Sequence, residues 1–168
     1  RRIRVVDHRI SVPVPENTVR FGIPNACADC HADRSPEWAA EWTRTWWGKQ
    51  DNRVAHAAAI AIGRRGDPRA LDPLIRRLSD TALNPAFRAS AAALLGRYRS
   101  PRAVQALIRA LDDPHPLIRA KAIQSLGETS DRRAVPALAQ LLNDSTKVVR
   151  MALVPALEAL GTRRLSDR

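Results

Sequence analysis

The chain has 168 residues, 45% of them hydrophobic and 27% charged, with a formal net charge of +11. That length suits one domain, or a small domain with an appended array, and the apolar content is enough for a folded core. No apolar run approaches bilayer-spanning length and no charged-then-apolar signal segment opens the chain, so no transmembrane helix is expected. The charge is uneven: residues 1–50 carry eight Lys/Arg against six Asp/Glu, and residues 51–168 carry twenty against eleven. Such a field suits an acidic redox protein, an anionic membrane surface or nucleic acid, unless arginine serves here only as the solubilising residue.

Residues 1–26 have extended character. Ile3, Val5, Val6, Ile10, Val12 and Val14 are β-branched, and Pro13, Pro15 and Pro24 disfavour helix, so irregular chain with at most one short strand is expected. Next comes Cys27-Ala28-Asp29-Cys30-His31, a CxxCH run holding the only two cysteines of the chain. This spacing lets two thiols reach two vinyl groups on one porphyrin edge while the following imidazole reaches the iron, so it reads as a covalent haem c attachment site. A structural zinc would need a second ligand pair, and a redox dithiol would need a βαβ setting; neither pattern is present. Cys27 and Cys30 are then the thioether residues and His31 the proximal ligand. His8 is the candidate for the second axial position, with His56, His115 or an open site as alternatives and Met151 assigned to the core.

Ser35-Pro36-Glu37 marks a helix start, with Ser35 as cap and Pro36 in the first turn, and Gly48 stops the helix after Trp47. Trp38, Trp42 and Trp46 fall on one face. Two readings stand: the indoles wall off the haem, with Trp38 and Trp42 packing on it, or they anchor this helix to the next one.

From Asp51 the chain repeats. The blocks starting at Arg69, Arg102 and Arg133 align without gaps, and Arg88, Arg119 and Arg150 recur every 31 residues behind Asp80, Asp113 and Asp144. Helix pairs are predicted at 68–79 with 85–96, 101–112 with 116–127 and 132–143 with 146–160. Helix 52–63 is predicted to pair with the Trp helix as a modified first unit. Gly63, Gly96, Gly127 and Gly161 read as stops after the second helices. Two amphipathic helices per period make an α-solenoid, since no pair buries its apolar face alone. The recurring Arg and Asp read as an internal ladder of charge and capping contacts, and Pro155 should kink or end the last helix.

The run Asp7-His8 with Pro13 and Pro15, then Pro24-Asn25-Ala26-Cys27, Cys30-His31, Glu37-Trp38-Ala39 and Trp47-Gly48 resembles the last haem segment of multihaem c-type cytochromes that carry a helical-repeat tail. Residues 51–161 resemble HEAT-like repeats of the kind also seen in phycobilisome lyases. The fold expected is mostly α: a short irregular haem-binding segment (1–50), an α-solenoid of HEAT-like helix pairs (51–161) and a basic tail (162–168). The cytochrome resemblance implies one-electron, outer-sphere transfer through haem c rather than enzyme catalysis. His8 would ligate this haem or a neighbouring one, and the repeats would dock a redox partner or other cytochrome subunits in a homo- or hetero-oligomer. A periplasmic or extracellular location follows from haem ligation, and nucleic acid is not an expected partner. The alternatives are a haem enzyme or gas sensor with an open sixth position, and a basic HEAT-repeat binding protein.

Overall fold

The computed structural model describes residues 12–161, apart from the side chain of Asn52. His8 and the basic tail therefore lie outside the described residues. The chain forms two compact units, one running up to Ala58 and one starting at Ala59. Helices are its only regular structure among the described residues. None of these helices is long and apolar enough to cross a membrane.

In the first unit the expected irregular lead-in holds a helix, α1 (Glu16–Phe21). Its local signals outweigh the β-branched composition. Pro15 provides the entry, Glu16 sits in the first turn, Arg20 pairs with Glu16 one turn on, and Gly22 ends the helix in the left-handed region at φ 67°. α2 is the single turn Cys27–Cys30, and α3 spans Pro36–Trp47. The start of α3 follows the sequence reading: Ser35 Oγ accepts the Trp38 N–H at 3.3 Å. Its buried face is Ala39, Ala40 and Thr43, and its principal partner is α1 rather than the helix that follows.

The second unit is a HEAT-like solenoid. α4 (Asp51–Arg64) begins in the first unit and ends in the second; from there α5 (Leu71–Ser79) pairs with α6 (Pro85–Leu95), α7 (Pro101–Arg109) with α8 (Pro116–Thr129), and α9 (Val135–Ala139) with α10 (Lys147–Gly161). Short 3-10 turns at Pro68–Ala70, Ala110–Asp112, Arg132–Ala134 and Gln140–Asn143 extend the first helices to the lengths expected from the repeat. Side chains cap the starts: Asp67, Asn84, Ser100, His115 and Asp131 each accept a backbone N–H two residues on. The core runs along the row α6, α8, α10, with Leu95, Ile118, Ile123, Leu126, Val149 and Leu153 fully buried.

Two recurring features act between helices of neighbouring repeats. Gly96 and Gly127 are close-approach points rather than left-handed stops, whereas nothing packs within 4 Å of where a Cβ on Gly161 would lie. A Cβ on Gly96, whose φ is −58°, would lie 2.9 Å from the Ser125 Cβ and carbonyl oxygen, and one on Gly127 would lie 3.0 Å from the Ala156 Cα. Helices carrying these positions sink into one another only because no side chain intervenes. The arginine–aspartate ladder is internal, as read, but it crosses repeats. Arg88 pairs with Asp113 of the following turn, and Arg119 Nε and Nη2 meet the Asp144 carboxylate at 2.9 and 3.0 Å. Each arginine also reaches a carbonyl of the preceding turn: Arg88 to Leu78 at 2.9 Å, Arg119 to Asp113 at 2.9 Å and Arg150 to Asp144 at 2.6 Å. The hydrogen bonds from Arg119 and from the Thr146 N–H hold the Asp144 carboxyl below the ordinary carboxylate range.

Pro155 sits inside α10 without ending it. Met151, expected in the core, is 63% exposed, because α10 buries Val149, Ala152, Leu153, Ala156 and Leu160 on the opposite side. His115 is a cap, its Nδ1 accepting the Leu117 N–H at 3.2 Å.

Candidate functional site

The chemistry-bearing residues of the first unit meet where α2 turns into α3. Asn25 shapes the approach. Its Oδ1 accepts the Cys27 N–H at 3.0 Å, and its Nδ2 donates to Thr18 Oγ1 at 2.6 Å, which ties the cysteine turn to α1. Thr18 Oγ1 in turn donates to the Ile23 carbonyl at 2.6 Å. The turn closes through the His31 N–H on the Cys27 carbonyl at 2.9 Å and the Arg34 N–H on the His31 carbonyl at 3.0 Å. Polar side chains thus hold a segment too short to be stable as an isolated helix.

A pocket of about 180 Å³ opens there, with Asn25, Cys27, Ala28, His31, Arg34 and Trp38 on its walls. Cys27 is half-buried, whereas Cys30 is exposed and does not line the pocket. The His31 and Trp38 ring centres lie 5.0 Å apart at 54°, and the Arg34 guanidinium stands 5.7 Å over the Trp38 ring. Cys27, His31 and Trp38 are therefore gathered in one place. Trp42 lies outside the pocket and touches the group through Trp38, with ring centres 6.4 Å apart, edge to face.

Arg34 and Thr18 were not legible as site residues. Arg34 carried a faint signal in standing four residues before Trp38; Thr18 acts through a turn no local pattern marks. The expectation that the tryptophans anchor α3 to the next helix is not met. Trp42 is 43% exposed, Trp46 59% and Trp47 49%, and the helix buries its alanine face instead. Helical spacing put the indoles on one side but did not say which side the core would take.

As chemistry, the pocket offers a thiol, an imidazole, an aromatic wall, the Asp29 carboxylate and the Arg34 cation, which pairs with Asp33 at 3.2 Å. Among the described residues no group of three His, Cys, Asp or Glu converges to hold a metal ion.

The comparisons concern the repeats. A model described as HEAT repeats matches residues 79–160, and one described as PBS lyase HEAT-like repeat matches residues 54–80. The chain carries HEAT-like repeats. A solved structure, the complex of CpcE and CpcF of phycocyanin lyase from Nostoc sp. PCC7120, is 29% identical with a TM-score of 0.58. The likeness covers 68% of this chain and 50% of the matched chain, so the protein spans half the length of that relative. No curated protein sequence matches the chain.

These findings correct the functional expectation. The electron-transfer cytochrome, its haem c on Cys27, Cys30 and His31, its redox partners and the reading as a non-enzyme give way to a likeness with a lyase. CxxCH fixes the sequence spacing of two thiols and an imidazole, and that spacing alone does not specify the group they act on.

Proposed function

We propose that this chain is a lyase-type HEAT-repeat protein that handles an open-chain tetrapyrrole, a bilin, and acts in joining it to a protein acceptor. The observation that carries this reading is the 29% identity with the phycocyanin lyase complex. The PBS lyase HEAT-like repeat at residues 54–80 supports it independently. The matched structure is a complex of two unlike subunits, which supports a hetero-oligomer as the working form.

The first unit supplies groups suited to such a ligand. The Cys27 thiol adds across an exocyclic double bond of an end ring. One C–S bond forms, the S–H proton goes to the neighbouring carbon, and elimination reverses both changes with no oxidant or reductant. Cys30, on the same turn, is the exposed second thiol. His31, which lines the same pocket, is the group that accepts or returns the proton. Arg34 pairs with a propionate, and Trp38 stacks on a ring, with Trp42 behind it.

The test is titration of the purified chain with phycocyanobilin, read by absorption and by bilin fluorescence. A saturable red shift with rising fluorescence is expected. Denaturing gels stained for zinc-enhanced bilin fluorescence then report any covalent adduct and transfer to a bilin-free phycobiliprotein. A spectrum that stays the sum of free bilin and protein overturns the reading.

A further inference from the structure

Beyond the pocket, α3 carries a continuous aromatic strip. From His31 the ring centres step 5.0 Å to Trp38, 6.4 Å to Trp42, 5.5 Å to Trp46 and 5.3 Å to Trp47. The chain has four tryptophans in all, and all four lie here. Three are exposed, between 43% and 59%, although the same helix offers a buried alanine face. Indoles ranked in contact on solvent are costly unless something covers them. Resting on the bilin reading above, we infer that this strip is the stacking platform for the extended ligand, which leaves the Cys27 pocket at Trp38 and lies along α3.

Three observations fix the occupant. First, the strip begins inside the pocket wall, because Trp38 lines the pocket and also touches Trp42. Second, the length fits a chain of several rings and not a single small aromatic: Trp38 to Trp46 is two helical turns, about 12 Å along the axis. An open-chain tetrapyrrole is four conjugated rings long, and the pocket offers aromatic contact only through His31 and Trp38, so the remaining rings need a surface that continues from there. Third, the Arg34 cation stands 5.7 Å over Trp38 in an exposed pair with Asp33, a partner that a ligand carboxylate can replace. A flat anionic chain therefore meets aromatic faces along its length and a guanidinium near its pocket end.

The strip is its own reporter. Phycocyanobilin is titrated into the wild-type chain and into Trp42→Ala/Trp46→Ala, with tryptophan emission and bilin absorption followed together. In the wild type, emission is expected to fall nearly to completion in step with the absorption change, because no tryptophan lies elsewhere. In the double variant affinity is expected to drop ~10-fold for each ring lost, the scale of planar stacking on an aromatic side chain. Helical content by circular dichroism stays at the wild-type level, since both side chains lie outside the buried face of α3. Wild-type binding that leaves emission unchanged, or a double variant that binds as tightly as wild type, overturns the platform while leaving the lyase reading intact. No bilin binding by the wild type overturns both. Quenching by anionic lipid vesicles with none by phycocyanobilin would assign the strip to a membrane surface and overturn the platform.

Discussion

Removing Asp113 tests the ladder that joins the repeats. Arg88 and Asp113 are 5% and 8% exposed, and the guanidinium also donates to the Leu78 carbonyl at 2.9 Å. Asp113→Ala leaves that cation buried with one carbonyl for company. It also strips the His115 N–H of its acceptor, now 2.9 Å away. Breaking a buried pair from one side costs ~3–5 kcal/mol, most of it the penalty of the charge left behind. With a urea slope of ~2 kcal/mol/M, the unfolding midpoint followed by far-UV circular dichroism should fall by about 2 M. Replacing both partners, as Arg88→Met/Asp113→Leu, removes the stranded charge and should recover most of the loss. The exposed pair Arg102–Asp72 is the control, because Arg102→Ala should cost under ~1 kcal/mol. An Asp113→Ala midpoint within experimental scatter of the Arg102→Ala value would refute the claim that Arg88 is buried and paired.

Other expectations follow from single contacts. Gly96→Ala should destabilise the second unit by ~1–3 kcal/mol in the same urea assay, since the new methyl meets the Ser125 backbone at 2.9 Å. Asp67 has its pKa drawn from 3.8 down to about 2, first by the Arg69 side-chain hydrogen bond and then by the Arg69 backbone N–H. A depressed folded-state value means stability present above pH ~4 and lost as pH falls through ~2, so Asp67→Asn should flatten the stability–pH curve between those limits. In the reduced protein Cys30 should react with iodoacetamide faster than Cys27, read by peptide mass, because Cys30 is exposed and Cys27 is half-buried at the pocket wall. Equal rates would refute the placement of the Cys27 thiol.

The repeat array was readable because its constraints are local and periodic. Cap-plus-proline starts at Asp67-Pro68, Asn84-Pro85 and Ser100-Pro101 set helix boundaries, and the 31-residue recurrence of arginine set the period. The partner of each arginine was not readable. Asp80 precedes Arg88 by eight residues and looked like its match, yet the side chain reaches Asp113 in the next repeat, a relation that exists only once helices stack. Helix α1 was hidden because β-branched residues and prolines dominate its surroundings, while its determinants, Glu16 with Arg20 and the left-handed Gly22, are single residues. At the site, Cys27, His31 and Trp38 line one pocket. Spacing was silent on Arg34 and on which face of α3 turns to solvent, because both depend on what α3 packs against.

The cross-repeat ladder also bears on how such an array grows and what it accepts by exchange. Duplicating any one period copies an arginine and an aspartate together, and each lands within reach of its complement in the flanking copies, so lengthening requires no new junction. A repeat transplanted from an array that lacks these residues meets the opposite situation. It leaves a buried guanidinium unanswered at one seam and a carboxylate at the other, a double penalty that confines exchange to donors sharing the same Arg–Asp register.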